Sequence, residues 1–157
     1  MCTSFLGELM LGQHQFGTST IVSRTSLTSP TTDTVKAALY LASATMNAST
    51  TVYTVTGEVS GTGYTAGGVT VTNATAPTST NASTTAGVGY WTPSASIVYT
   101  TVTLTTAFDT VLIYNSTQSN KAISVHTFGS QTITAGTFTL TMPSNTTSTA
   151  LIRLSTT

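Results

Sequence analysis

Charge is what this chain lacks most. Four of its 157 residues are Lys or Arg and four are Asp or Glu, 5% of the chain, against roughly 25% in an ordinary soluble domain. The eight are Glu8, Arg24, Asp33, Lys36, Glu58, Asp109, Lys121 and Arg153, scattered and summing to zero. Without clustered Lys and Arg there is nothing to displace counterions from phosphates, so nucleic acid is excluded as a main partner. Cysteine is nearly absent too. A single Cys2 excludes an intrachain disulfide and does not suggest a secreted disulfide scaffold. Long apolar runs are missing. The N-terminus has no basic flank followed by an apolar stretch, as a signal peptide would. No window approaches the roughly 18 apolar residues of a membrane-spanning helix. The expectation is a chain made and folded in the cytoplasm, with no membrane partner.

Catalytic and metal-binding groups are equally thin. The acid/base inventory is His14, His126 and a few isolated carboxylates, Glu8, Asp33, Glu58 and Asp109. No G-x-S-x-G elbow singles out a serine. Two distant histidines, one cysteine and no acidic cluster make neither a zinc set nor a calcium loop. The glycine-rich stretch 57–68 lacks the Gly-Lys-Ser/Thr ending of a phosphate loop and leads to a strand rather than a helix. Gly61 and Gly63 are read instead as tight-turn residues with positive φ. No cofactor, no metal and no enzymatic activity are expected.

What is abundant is threonine, 41 residues in all. Its hydroxyl can be buried once hydrogen-bonded, without the penalty of burying an ion. Near-zero charge promotes association, so the composition describes a protein that works packed against others. Scarce proline, and Thr alternating with Val, Ile, Leu and Tyr, exclude a mucin-like stalk. Five Asn residues, Asn47, Asn73, Asn81, Asn115 and Asn145, begin N-x-S/T triplets. In a chain so rich in Ser and Thr these are read as coincidence rather than glycosylation sites.

Residues 1–17 stand apart. Phe5, Leu6, Leu9 and Met10 have helical spacing, which predicts a turn or two of helix in an N-terminal arm. A helix that short needs a surface to pack on, either its own domain or a neighbouring subunit. Residues 26–32, with Pro30, are read as loop. From Asp33 the period becomes two. Val35, Ala37, Leu39 and Leu41 define one face, and Lys36, Ala38 and Tyr40 the other. Further strands are expected over 51–56, 69–73, 96–105, 110–114, 122–127, 131–134, 137–142 and 150–154, all rich in β-branched residues. Residues 115–120 read as a hairpin loop, Gly129 and Gly136 as turns, and 57–68 and 74–89 as outer loops. This pattern predicts an all-β chain. Its expected form is an arm and linker over 1–32, then a single antiparallel β-sandwich or jelly-roll-like domain over 33–157.

The run Asp33-Thr34-Val35-Lys36-Ala37-Ala38-Leu39-Tyr40, followed by Thr51-Val52-Tyr53-Thr54-Val55-Thr56 and Gly57-Glu58-Val59-Ser60-Gly61-Thr62-Gly63-Tyr64-Thr65-Ala66-Gly67-Gly68, resembles small virion proteins of tailed bacteriophages. Leu112-Ile113-Tyr114-Asn115 and Phe128-Gly129 resemble the second half of that family. The resemblance implies a structural part of the phage particle, assembled in the host cytoplasm, with no catalytic residues to carry over. A capsid cement or decoration protein is the expected role, and a neck, collar or tail accessory protein the alternative. Its partners would be the major capsid protein or other virion proteins, and it would be homo-oligomeric or lattice-associated. The candidate interface residues are Phe5, Leu6, Leu9, Met10, Tyr64, Tyr90 and Trp91, because exposed Tyr and Trp are common anchors of interfaces. If exposed, Tyr64, Tyr90 and Trp91 would equally suit a carbohydrate- or receptor-binding module; if buried, they are core and loop anchors.

Overall fold

The computed structural model of the protein describes residues 1–10, 12, 14–17, 33–80 and 87–156. The chain is mostly β. Among the described residues, one helix, α1 (Thr3–Met10), precedes β1 (Val35–Leu41), β2 (Val69–Thr70), β3 (Thr78–Ser79), β4 (Val88–Trp91), β5 (Ile97–Asn115), β6 (Lys121–Leu140) and β7 (Ile152–Ser155). They form two sheets, ordered β2-β1-β5-β6 and β3-β4-β7, and every pairing is antiparallel.

The five strands expected between residues 96 and 142 are two. Strands β5 and β6 run 19 and 20 residues and pair from Asn115↔Lys121 out to Ile97↔Leu140. The ribbon cannot be straight. Phe128 and Phe138 lie ten residues apart on β6, about 33 Å along an extended strand, yet their rings are 5.3 Å apart. The strand therefore doubles back, and Phe108 fills the inside of the bend, 6.0 Å from Phe128 and 5.1 Å from Phe138. The register slips four times between Tyr99 and Thr110, and each slip is a local bend. Gly129 and Gly136 are thus inside β6 rather than in turns between strands. Asn115–Asn120 does form the hairpin loop, with Ser119 and Asn120 left-handed at φ 53° and 59°. The Asn115 side-chain oxygen accepts from the Thr117 and Gln118 amides.

Strand β1 has no solvent face. Val35, Ala37, Ala38, Leu39 and Tyr40 are all buried, so the two faces expected from alternation are both covered. On one edge lies the inner half of β5. On the other lie β2 and then residues 57–59, through Leu41 N–H to Gly57 O and Val59 N–H to Leu39 O. The outer half of the ribbon also reaches this strand, where the Tyr99 hydroxyl donates to the Ala37 carbonyl at 2.8 Å.

Residues 57–68, expected on the outside, are partly buried for a specific reason. The Glu58 carboxylate accepts from the Tyr53 hydroxyl at 2.6 Å, the Tyr64 hydroxyl at 2.7 Å and the Gly67 amide at 2.8 Å. The Tyr64 oxygen in turn accepts from Leu39 N–H at 3.0 Å, which pins the loop to β1. Gly63 turns with φ 78°, as expected. Gly61 is needed for a different reason: a Cβ there would overlap the Thr103 carbonyl oxygen. Residues 51–56 are not a strand. Their only strand-like pairing among the described residues is a single Val52–Lys121 bridge, made by Tyr53 N–H on Asn120 O and Ala122 N–H on Thr51 O, and Thr54 O accepts from the Tyr40 hydroxyl. Strand β3 falls in a stretch read as loop, and the last strand starts two residues later than expected.

Two predictions follow from this tyrosine cage. Hydrogen bonds to a charged acceptor contribute about 1.5–3 kcal/mol each. The neutral amide of Glu58→Gln accepts more weakly and through one atom only, so the variant should lose about 1–3 kcal/mol, read by denaturant unfolding. Unchanged stability would refute the role of the carboxylate. Burial first, with Glu58 repulsion added, pushes Tyr40 and Tyr114 from 10.0 up to about 12. The folded state then holds protons that the unfolded chain releases. Stability should fall as pH rises from about 10 towards 12, with tyrosinate absorbance appearing together with unfolding. Tyr40 or Tyr114 ionising near pH 10 in a still-folded protein would contradict this.

Candidate interface groove

The three-stranded sheet and the N-terminal arm face each other across an open groove of about 530 Å³. One wall is Phe5, Leu9 and Phe16, and the other is Tyr90, Trp91, Ile152 and Leu154. The register explains the second wall. Trp91 pairs with Ile152 and Gly89 with Leu154, so these alternate residues share a face, with Tyr90 one residue out of phase beside them. Gly89 leaves that wall shallow, since a Cβ there would meet only the Leu154 carbonyl oxygen at 3.9 Å. Leu154 is 37% exposed.

Aromatic rings tie the arm to the sheet. Phe16 lies 4.6 Å from Trp91, Phe5 lies 4.8 Å from His14, and Phe5 and Phe16 are 6.0 Å apart. Backbone bonds hold the start of the chain, with Cys2 N–H on Ile123 O and Thr3 N–H on Ala48 O. A polar clasp holds the end of the arm. Buried Asp33 accepts from Gln15 N–H at 2.8 Å, from the Asn115 amide at 2.6 Å and from Gln118 at 3.1 Å. The same Asn115 nitrogen lies 3.2 Å from His14 Nδ1. Asn73 adds a second clamp, accepting from Gly17 N–H at 2.9 Å. The arm therefore packs on its own domain, and Cys2 and Phe5 belong to the same core as β1 and β5.

The expected interface residues divide accordingly. Phe5 is fully buried and Trp91 is 2% exposed, with its indole N–H donating to Thr75 O at 2.9 Å. Both shape the groove from within and are core residues rather than exposed anchors. Leu9 and Tyr90 are half-buried on its walls. The side chains of Leu6 and Met10 lie outside the described residues, as do the linker 18–32 and the loop residues 81–86. Tyr64 is remote from the groove. Its hydroxyl is engaged by Glu58 and its ring lies 5.9 Å from Tyr99. Phe16, Ile152, Leu154 and Gly89 were not anticipated. Alternation of Ile152 and Leu154 was the available signal, but the partner wall comes from a distant segment.

The chemistry elsewhere is limited. His126 Nε2 lies 2.9 Å from Ser124 Oγ, but Ser124 is 1% exposed, out of reach of a substrate. Asp109 instead accepts from the Thr110 hydroxyl. Among the described residues, no three His, Cys, Asp or Glu gather as a metal set. Asn115, in one of the five triplets, is fully buried, which is incompatible with a glycan on the folded chain. No helix among the described residues is long and apolar enough to cross a membrane. No protein-family model, curated protein or solved structure matches the chain.

Burial, aided by the cationic N-terminus, lowers the His126 pKa from 6.5. The unfolded chain then binds the proton more readily, so stability present above about pH 6.5 should be lost as pH falls below it. His126→Gln should flatten this decline when melting temperatures are compared across mildly acidic pH. An identical slope in both proteins would assign the decline to other groups.

Proposed function

We propose that this chain is a structural protein of a bacteriophage particle, a capsid cement or decoration protein that binds the head shell through the groove between α1 and the β3-β4-β7 sheet. The observation that carries the reading is this apolar groove, open among the described residues, on a chain whose polar residues are nearly all uncharged. Contacts made by such a surface depend on apolar burial and on hydroxyl and amide hydrogen bonds, which last without ion pairs whose desolvation offsets their attraction. A protein repeated over a shell needs contacts of that kind. The resemblance of residues 33–40 and 51–68 to small phage virion proteins, read from the sequence alone, supports the same reading. We read the finer architecture as a β-sandwich, with the outer half of the β5–β6 ribbon laid over β1 and the inner half. The partner is the major capsid protein or another virion protein, and the location is the assembled particle. A glycan-binding role is less well supported, because Trp91 is buried and Tyr64 is committed to Glu58, leaving Tyr90 alone of the three.

The test uses particles that lack this protein. Wild-type chain should bind them as well in high salt as in low, because screening weakens exposed charge pairs and leaves apolar burial intact. Gly89→Phe fills the groove from a position with room for a side chain, and should reduce binding at least tenfold while the melting temperature stays near that of wild type. Hundreds of bound copies per particle indicate the shell; about a dozen indicate a neck or tail site. Release by salt alone, or full binding by the folded Gly89→Phe variant, would overturn the groove-based mechanism.

A further inference from the structure

The far end of β6 has a free edge. Residues 136–140, Gly-Thr-Phe-Thr-Leu, pair with β5 on one side, through Val102↔Gly136, Tyr99↔Phe138, Val98↔Thr139 and Ile97↔Leu140. Among the described residues, no hydrogen bond reaches them from any other element. Their outer row of backbone amides and carbonyls therefore stands open, a template for another strand. Natural edges are usually blunted by charge, by proline or by bulges. Residues 122–152 contain no charged side chain at all. The bulge at Ala135, with φ 47°, and Pro143 flank the run; the register slip within it, between Val102↔Gly136 and Tyr99↔Phe138, puts its extra residue on β5 rather than on this edge.

We propose that this edge pairs antiparallel with the same five residues of a second copy, about a two-fold axis at Phe138, joining two ribbons into one continuous sheet. An antiparallel strand is complementary to itself: about that axis, residue i meets j and j meets i. Gly136 then faces Leu140, Thr137 faces Thr139, and Phe138 faces its own copy. Each pairing is favourable or neutral. Threonine pairs stabilise a ladder, glycine gives leucine room, and aromatic pairs gain beyond their buried area. Identical edges normally repel because each brings the same charges, and this one brings none. Burial supplies a second reason. Phe138 and Leu140 are apolar and on the inner face, yet only half-buried, and a neighbouring strand would cover them. Thr137 and Thr139 are exposed, so the outer face needs no rearrangement. Five residues make a small interface, so pairing is concentration-dependent and gains from any array that holds copies close together. The inference stands on the edge alone and is independent of the shell-binding reading.

The experiment is sedimentation velocity across a wide concentration range, with no shell present. Wild type should pass from monomer to dimer as concentration rises. The double variant Thr137→Lys/Thr139→Lys places like charges opposite each other in the dimer, on side chains that face solvent in the monomer. It should weaken pairing at least tenfold, with melting temperature and circular dichroism unchanged. The variant Thr137→Glu/Thr139→Glu should behave likewise alone, and mixing the two should restore a dimer. Val55→Lys, at a position 67% exposed and far away in sequence, should dimerise like wild type. A wild type that stays monomeric throughout would overturn the proposal. So would dimers unaffected by the charged variants, or a mixture of Lys and Glu variants that fails to associate.

Discussion

A single carboxylate organises the centre of this molecule. Glu58 draws two tyrosine hydroxyls and a backbone amide onto its two oxygens, and the consequences spread from there. Tyr64, held by Glu58, accepts from β1. Tyr53 lies flat on Tyr114, 4.7 Å away, and the Tyr114 hydroxyl returns to the loop at Gly67 O. The glycine loop is thereby tied to β1 through Tyr64 and to β5 through Tyr114. In a chain with four acids in total, each placed charge counts. Asp33 plays the corresponding part at the other end of β1, gathering Gln15, Asn115 and Gln118 and so fixing the arm. Each carboxylate accepts from neutral donors, two hydroxyls and a backbone amide at Glu58, and a backbone amide and two side-chain amides at Asp33. Neutral donors compensate a partly desolvated charge without requiring a second ion to be desolvated.

The second constraint is the bend in the β5–β6 ribbon. A two-stranded ribbon of this length exposes both faces unless something covers them. Folding it back lets one hairpin cover itself, with Phe108, Phe128 and Phe138 packed inside the bend and Tyr99 anchored to β1. The register slips that permit the bend leave Thr101 and Ala135 with left-handed backbone, an unusual conformation for side-chain-bearing residues. That local cost is offset by the core the bend creates.

The strand content of this fold was legible because period-two alternation is a local signal. Val35 to Leu41, the hairpin loop after Asn115 and the helical spacing around Phe5 all express themselves within a few residues. What stayed hidden was set by distant pairings. Gly129 and Gly136 look like turn residues, and only the opposing strand decides that they serve bends within one ribbon. Residues 51–56 have the composition of a strand, but the neighbouring edge of β1 is already taken by 57–59. The groove was half legible: Leu9, Tyr90 and Trp91 were singled out, while Phe16 and Leu154 meet them only through tertiary packing. The burial of Trp91 likewise depends on Phe16 and on Thr75, neither adjacent to it in sequence.

The scarcity of charge links these features. Charged side chains commonly protect sheet edges and keep surfaces apart, and this chain omits them over the whole of residues 122–152. Its protection comes from geometry instead, through bulges and the bend, which break β6 into short segments. Among the described residues, those devices leave one unpaired edge at 136–140 and one apolar groove, and the two lie on different sheets. The first offers unpaired backbone and the second apolar side chains, and neither carries a charge that would repel a like surface.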